Sequence, residues 1–276
     1  MKRILTIQDI SCVGKCSLTV ALPIISAFGV ETCVLPTAVL STHTAFSGFT
    51  FRDLTSDVKP IVKHWIEQKI GFDAIYTGYL GSLEQIEICK GIFTDFKKEN
   101  NFILVDPVMG DNGTLYKGFT QEFADNMAKL CGQADIIVPN LTEASFMLHT
   151  PYVEKGYDEK YIQNLLIKLT DFGCKTAILT GVSFDDINLG IYGYDSINKK
   201  FFSYFSEQVP KKFHGTGDVF ASTLCGALTV GKTLSDSAKL TVDYTVQCIK
   251  ETIKNKEHIW YGVDFETCLP FLIKNI

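Results

Sequence analysis

The sequence predicts an α/β fold, with three layers (α/β/α), a mostly parallel central sheet and antiparallel edge strands. Three observations predict it. Short β-branched runs alternate with longer segments of helical apolar spacing, the pattern of successive βαβ units. The residues that follow those runs are polar groups or glycine, as at the carboxyl edge of an open parallel sheet. Around residues 188–206 the alternation gives way to two strand-like runs with no room for a helix between them.

Taken in order, strands are expected at 4–8, 32–35, 74–76, 102–105, 136–138 and 176–179. Between them lie helical segments at 16–28, 58–69, 84–98, 119–130, 143–148 and 159–172, with Gly29 and Gly173 as stop signals. The antiparallel edge is expected at 189–194 and 200–204, around a turn at 195–198. Helices then return at 218–228, 235–254 and 265–274. No repeat, low-complexity tract or shift in composition marks a boundary, so residues 1–276 read as a single domain.

Composition narrows the function. At 46% apolar and 21% charged residues the chain can build a core without staples. Lys plus Arg number 26 against 31 for Asp plus Glu, a net charge of -5, and no basic run exceeds Lys-Lys. A nucleic-acid partner is therefore not expected. The nine cysteines contain no C-x-x-C pair and read as reduced thiols of a cytoplasmic protein. No run of eighteen apolar residues points to a membrane, and the amino-terminal apolar stretch is too short for a signal peptide.

Residues 226–233, Gly-Ala-Leu-Thr-Val-Gly-Lys-Thr, fit the phosphate-binding pattern G-x-x-x-x-G-K-[ST]. That pattern works only where a strand enters it and a helix leaves it. Here the small and apolar residues 219–225 read as a buried helix, so Gly231 is expected to end that helix, with Ser235 capping the next.

A better anion site precedes that helix, at His214-Gly215-Thr216-Gly217-Asp218. The N–H groups of a first helical turn lack internal partners and lie at the positive end of the dipole. Asp218 is either an ordinary first-turn carboxylate or a general base for an attacking hydroxyl. Asp106 and Asp111 bracket Pro107-Val108-Met109-Gly110 after one strand, and Asn140 and Glu143 follow the next. Each has a bland reading as strand end, turn or cap, Thr142 being a candidate cap. Together they could hold Mg2+ through water and phosphate oxygens.

These residues resemble the ribokinase-like superfamily. Gly215-Thr216-Gly217-Asp218, Asp106-Pro107-Val108-Met109-Gly110 and Pro139-Asn140-Leu141-Thr142-Glu143 carry the likeness. Within it, Ile7-Gln8-Asp9 with Val13-Gly14, Leu40-Ser41-Thr42-His43-Thr44 and Thr77-Gly78-Tyr79-Leu80-Gly81-Ser82 are similar to the pyridoxal (vitamin B6) kinases. The resemblance implies ATP-dependent phosphorylation of the 5'-hydroxyl of pyridoxal, pyridoxamine or pyridoxine. It implies Asp218 as base and Gly215, Thr216 and Gly217 as an anion hole. It places Asp106, Asn140, Glu143, Thr180 and Asp111 on the nucleotide side, with Asp106, Glu143 and Asp111 toward Mg2+. Asp9, His43, Thr44 and Tyr79 fall on the vitamin side. A homodimer is implied, and the identity of any monovalent cation is left open.

The chain departs from the family pattern at Asp9, a position often serine in pyridoxal kinases. A carboxylate there would favour a protonated ring nitrogen or an amine, hence pyridoxamine. The segment 111–116 reads as a lid that closes over the nucleotide, or as a fixed Asn-Gly turn. His214 reads equally as a phosphate contact and as packing. A hydroxymethylpyrimidine kinase is the rival enzyme, and a vitamin-binding relative without chemistry the rival of another class.

Overall fold

The computed structural model describes residues 1–209, 211 and 213–276. They form two compact units, one of Met1–Gly78 with Val209–Ile276 and one of Tyr79–Gln208.

The first unit opens with β1 (Arg3–Val13), α1 (Leu18–Ala27), β2 (Glu31–Thr42), β3 (Phe51–Asp53), α2 (Thr55–Glu67) and β4 (Ala74–Thr77). Its strands lie in the order β4-β1-β2-β3. β1 runs parallel to β4 and β2, and β3 lies antiparallel on the outer side of β2. Ile4, Leu5, Ile7 and Leu35 put branched side chains into the core. β1 and β2 both run well past the apolar runs that announced them. Polar residues at the end of β1 stay buried because hydroxyls and a carboxylate satisfy one another there. The β1–β2 register shifts between Gln8 and Ile10, where β2 carries Pro36, a residue with no N–H for the ladder. That irregularity falls beside Asp9. β3 was not expected: three exposed residues, Phe51, Arg52 and Asp53, bury nothing that would register as a pattern.

The second unit contains α3 (Leu83–Phe96), β5 (Phe102–Val105), β6 (Gly110–Asp111), β7 (Thr114–Leu115), α4 (Gln121–Cys131), β8 (Ile136–Ile137), α5 (Leu141–Met147), α6 (Glu159–Thr170), β9 (Thr176–Val182), β10 (Asn188–Asp195) and β11 (Lys200–Glu207). Its order is β5-β8-β9-β10-β11, the first three parallel and β10 and β11 antiparallel. The helices start where polar side chains can take an unpaired N–H. Ser82, Thr120, Asn140 and Asp158 accept from Gln85, Phe123, Glu143 and Tyr161 respectively. Asn140, not Thr142, therefore caps α5. Thr180 lies inside β9 rather than after it, because the strand continues to Val182.

The chain then returns to the first unit with α7 (Thr216–Thr229), α8 (Leu234–Lys254), a 3-10 turn (Glu266–Cys268) and α9 (Leu269–Asn275). The phosphate-like pattern is indeed a helix end. Gly226 lies within α7, where a Cβ would come within 2.4 Å of the Phe28 ring. Gly231 has φ +97°, its N–H bonds to Leu228 O, and the Lys232 N–H bonds to Ala227 O. These are the two bonds of a Schellman stop. Thr233, not Ser235, caps α8 by accepting from Asp236 N at 3.1 Å. Among the described residues no helix is long and apolar enough to cross a membrane.

One buried carboxylate joins several elements of the second unit. Asp135 accepts from Lys97 and Lys175, each at 2.7 Å, and from the Ile103 N–H at 2.8 Å. Burial would raise its pKa, but Lys175, Lys97 and the Ile103 amide outweigh that and hold it below the ordinary value. Its contribution is thus present above the unfolded carboxylate pKa and is lost as pH falls through the folded one. Asp135→Ala is expected to lower stability by about 2–3 kcal/mol at neutral pH, read by urea denaturation, with the difference from the parent shrinking in acid.

Candidate active site

The carboxyl end of β1 and the first turn of α7 meet in the first unit. Gly215 precedes α7 with φ +78° and ψ 0°, a left-handed conformation suited to glycine. A Cβ there would fall 1.8 Å from the Lys15 carbonyl oxygen, so the β1–α1 turn passes directly against this residue. Gly217 has nothing within 4 Å of where its Cβ would be, which leaves the face over the first turn open. The unpaired N–H groups of that turn make it suited to an anion.

Asp218 lies in the same turn, half-buried, and its pKa is pushed up to about 7. Burial is the larger cause. The Ser17 backbone N–H facing the carboxylate lowers the value, and the charge of Asp9 raises it. Asp9 is itself only 4% exposed, with Oδ1 accepting from the Ser17 hydroxyl at 2.6 Å and Oδ2 from the Ser11 hydroxyl at 3.0 Å. Burial raises the Asp9 pKa and the two hydroxyls moderate the rise. Cys16 lies close to both carboxylates. Burial, Asp218 and Asp9 push its thiol up to about 12, so it stays neutral and is no nucleophile at physiological pH. Asp218 and Asp9, assigned to opposite tasks from sequence, thus share one cluster.

His43 is buried, and both of its ring nitrogens are engaged. Nδ1 accepts from Ala45 N and Nε2 faces Tyr261 O, each at 3.1 Å. Burial lowers its pKa, so a neutral ring presents only its faces and edges. Around it stand Phe46, His214, Trp260 and Tyr261, with His214 at 5.3 Å between ring centroids. His214 packs against His43 and is an exposed residue. Thr44 is exposed beside them.

The second unit gathers a different set. Asn140 caps α5 and Glu143 completes a reciprocal capping box. Glu143 Oε2 accepts from Asn140 N at 2.8 Å, Oε1 accepts from Met109 N at 3.1 Å, and Asn140 Nδ2 donates to Gly110 O at 2.9 Å. An isolated parallel bridge sets Asn140 beside Thr180. Burial raises the Glu143 pKa to about 8, and the charge of Asp111 adds to the rise. Asp106, also buried, follows β5. The proposed lid is a small β6–β7 hairpin turning on Asn112 and Gly113, both at positive φ, the turn that Asn-Gly favours. Its Gly113 N–H bonds to Thr142 Oγ1 at 2.9 Å. Tyr79 packs on Phe119 with ring centroids 5.6 Å apart.

Among the described residues no three acidic, histidine or cysteine side chains converge as metal ligands, so Asp106, Glu143 and Asp111 are not a closed ligand set. They still suit Mg2+, which is commonly held by one or two carboxylates with phosphate oxygens and water. Carboxyl oxygens are the donor chemistry that a hard cation such as Mg2+ takes.

The sequence pattern of the phosphomethylpyrimidine kinase family matches residues 22–261. The chain belongs to that family. A protein of Bacteroides thetaiotaomicron assigned as a phosphomethylpyrimidine kinase, in a crystal form with pyridoxal, is 37% identical with a TM-score of 0.93, covering 98% of this chain and 95% of that one. The pyridoxal kinase of Lactobacillus plantarum is 29% identical with a TM-score of 0.90, covering 99% and 97%. The pyridoxal kinase of Pasteurella multocida is 31% identical over 175 residues, which span 61% of this chain and 60% of that protein. The ribokinase-like α/β expectation holds, with parallel strands inside and antiparallel strands at the edges.

Sequence reasoning missed Ser11 and Ser17 as site residues and placed Cys16 near the pocket as packing rather than chemistry. A serine just before an apolar helical run reads as an N-cap, yet the Ser17 side chain makes no capping bond. Gly215→Ala is expected to cost about 2–3 kcal/mol, and Gly217→Ala less than about 0.5 kcal/mol, in urea denaturation. Equal costs would contradict the close approach of Lys15.

Proposed function

We propose that this chain transfers the γ-phosphoryl group of ATP to the 5'-hydroxyl of a B6 vitamer, and that residues 1–276 work as one ribokinase-like kinase domain. The observation that carries the reading is the Asp218 carboxyl in the first turn of α7, beside Gly215, Thr216 and Gly217 and against the turn after β1, where burial raises its pKa to about 7. A base with a pKa near the working pH is suited to accept a proton from an alcohol. The likeness to relatives called pyridoxal kinases and to one crystallised with pyridoxal supports the choice of acceptor.

In this reading Asp218 takes the hydroxyl proton as the oxygen attacks the γ-phosphorus. The bond from that phosphorus to the β–γ bridging oxygen breaks, and ADP leaves. The N–H groups at the start of α7 stabilise the charge that builds on the transferring oxygens. Asp106, Asn140, Glu143 and Thr180 serve the nucleotide, and the hairpin carrying Asp111 covers it. Asp106, Glu143 and Asp111 would hold Mg2+ through phosphate oxygens and water, and the ion would neutralise phosphate charge. Asp9, His43, Thr44 and Tyr79 receive the vitamin, His43 by ring packing because its nitrogens are taken. The Asp9 carboxylate favours pyridoxamine through its charge. The working form is a cytoplasmic homodimer.

The name of the family favours a second reading, phosphorylation of a hydroxymethylpyrimidine or its phosphate. A mass-spectrometric transfer assay with MgATP and pyridoxal, pyridoxamine, pyridoxine and hydroxymethylpyrimidine separates the two. A B6 vitamer is expected to give the highest kcat/KM; a faster pyrimidine would overturn the assignment. Asp218→Asn is expected to lower kcat by about 10²–10⁴ while ATP still binds. Because Asp218 must be ionised to act, kcat/KM is expected to fall as pH drops through about 7. Asp9→Ser is expected to shift the ratio of kcat/KM values away from pyridoxamine, and an unchanged ratio would remove Asp9 from vitamer choice.

A further inference from the structure

Ser17 faces both carboxylates of the first unit's cluster. Its backbone N–H faces Asp218 and lowers that carboxyl's pKa, and its hydroxyl donates to Asp9 Oδ1 at 2.6 Å. It does this from φ 51°, ψ -132°, a conformation that glycine adopts easily and a residue with a β-carbon does not. At the N-cap of α1 a serine hydroxyl would normally accept an N–H of the first turn, and here it makes no such bond. The Ser17 carbonyl accepts from Val20 and Ala21, so the backbone is held from the helix side while the polar groups face the carboxylates. The local geometry thus gives up a helix cap and accepts an unfavourable backbone angle, and what both sacrifices secure is the placement of Asp9 and Asp218.

We propose that Ser17 is a positioning residue for the phosphoryl transfer, aiming the Asp218 carboxylate with its amide and coupling it to Asp9 through its hydroxyl. The proposal rests on the reading of Asp218 as the general base. Its hydroxyl favours the ionised form of Asp9, and an ionised Asp9 faces Asp218 as a like charge. Removing the hydroxyl favours neutral Asp9, relieves that repulsion and lowers the pH at which Asp218 ionises. Among the described residues, Cys16, His43, His214 and Lys15 are titratable groups on the same segments. Cys16 stays neutral at its raised pKa of about 12, and His43 is held neutral by burial. His214 is exposed, and Lys15 is bound to Asp264 and Glu266 at 2.9 and 2.8 Å.

The test is the pH profile of kcat and kcat/KM for Ser17→Ala, Ser17→Gly, Asp9→Asn, Ser17→Ala combined with Asp9→Asn, and Asp218→Asn, with melting curves and ATP affinity for each. Ser17→Ala and Ser17→Gly are expected to lower kcat about tenfold with ATP affinity unchanged. Both should move the acid limb down by about half a pH unit, and the shift should vanish in the Asp9→Asn background. Ser17→Gly also relieves the positive φ, so it decides the matter should the alanine variant fail to fold. A limb and kcat like the parent's in both variants, with Asp218→Asn inactive, would overturn the role of Ser17 alone. Near-normal kcat in Asp218→Asn would instead overturn the base, and with it the reason for positioning.

Discussion

The closest constraint at the candidate site is backbone against backbone. The Lys15 carbonyl lies where a Cβ on residue 215 would have to go, so the turn after β1 and the start of α7 can approach only through a glycine. From that approach follows the proximity of Ser17, Cys16 and Asp9 to Asp218, since the first three sit on or beside the turn and the last opens the helix. Any side chain at 215 would separate the two segments and with them the carboxylates. The glycine therefore does more than permit a helix start suited to an anion.

The electrostatics follow from the same packing. Two carboxylates share a mostly enclosed space, and the nearest strong cation on the turn, Lys15, is spent on Asp264 and Glu266. Burial would lower the lysine's pKa, and its two carboxylate partners raise it above the ordinary value. Burial is the larger cause acting on Asp218, which is left in the range where a proton can be taken up and released. Glu143 is raised in its own unit for a related reason, burial reinforced by the charge of Asp111. Both carboxylates are held by backbone N–H groups, which fixes their orientation while burial sets their affinity for protons.

Much of this was legible in the sequence. The alternation of branched runs with amphipathic segments located the main strands and helices, and the cluster of glycines before a buried helix located Asp218. The false phosphate loop could be rejected because residues 219–225 read as a buried helix that Gly231 ends. What escaped were features without a pattern of their own. The three residues of β3 are all exposed, so no burial periodicity marks them. β1 continues beyond Gln8 because Asp9 and Ser11 satisfy each other in three dimensions, which no propensity scale records. Ser17 fell inside the expected helix 16–28, and its positive φ is invisible until the turn is built. His43 looked like a polar ligand because its partners, Ala45 N and Tyr261 O, are backbone atoms, one of them far along the chain.

The central claim is that Asp218 titrates close to neutrality because of where the turn after β1 holds it. The most direct measurement is a carbon-13 NMR titration of the aspartate side-chain carboxyls in the parent chain and in Asp218→Asn. The account predicts that the resonance missing from the variant titrates near pH 7 in the parent. A resonance that titrates near the ordinary aspartate value of about 4 would contradict it.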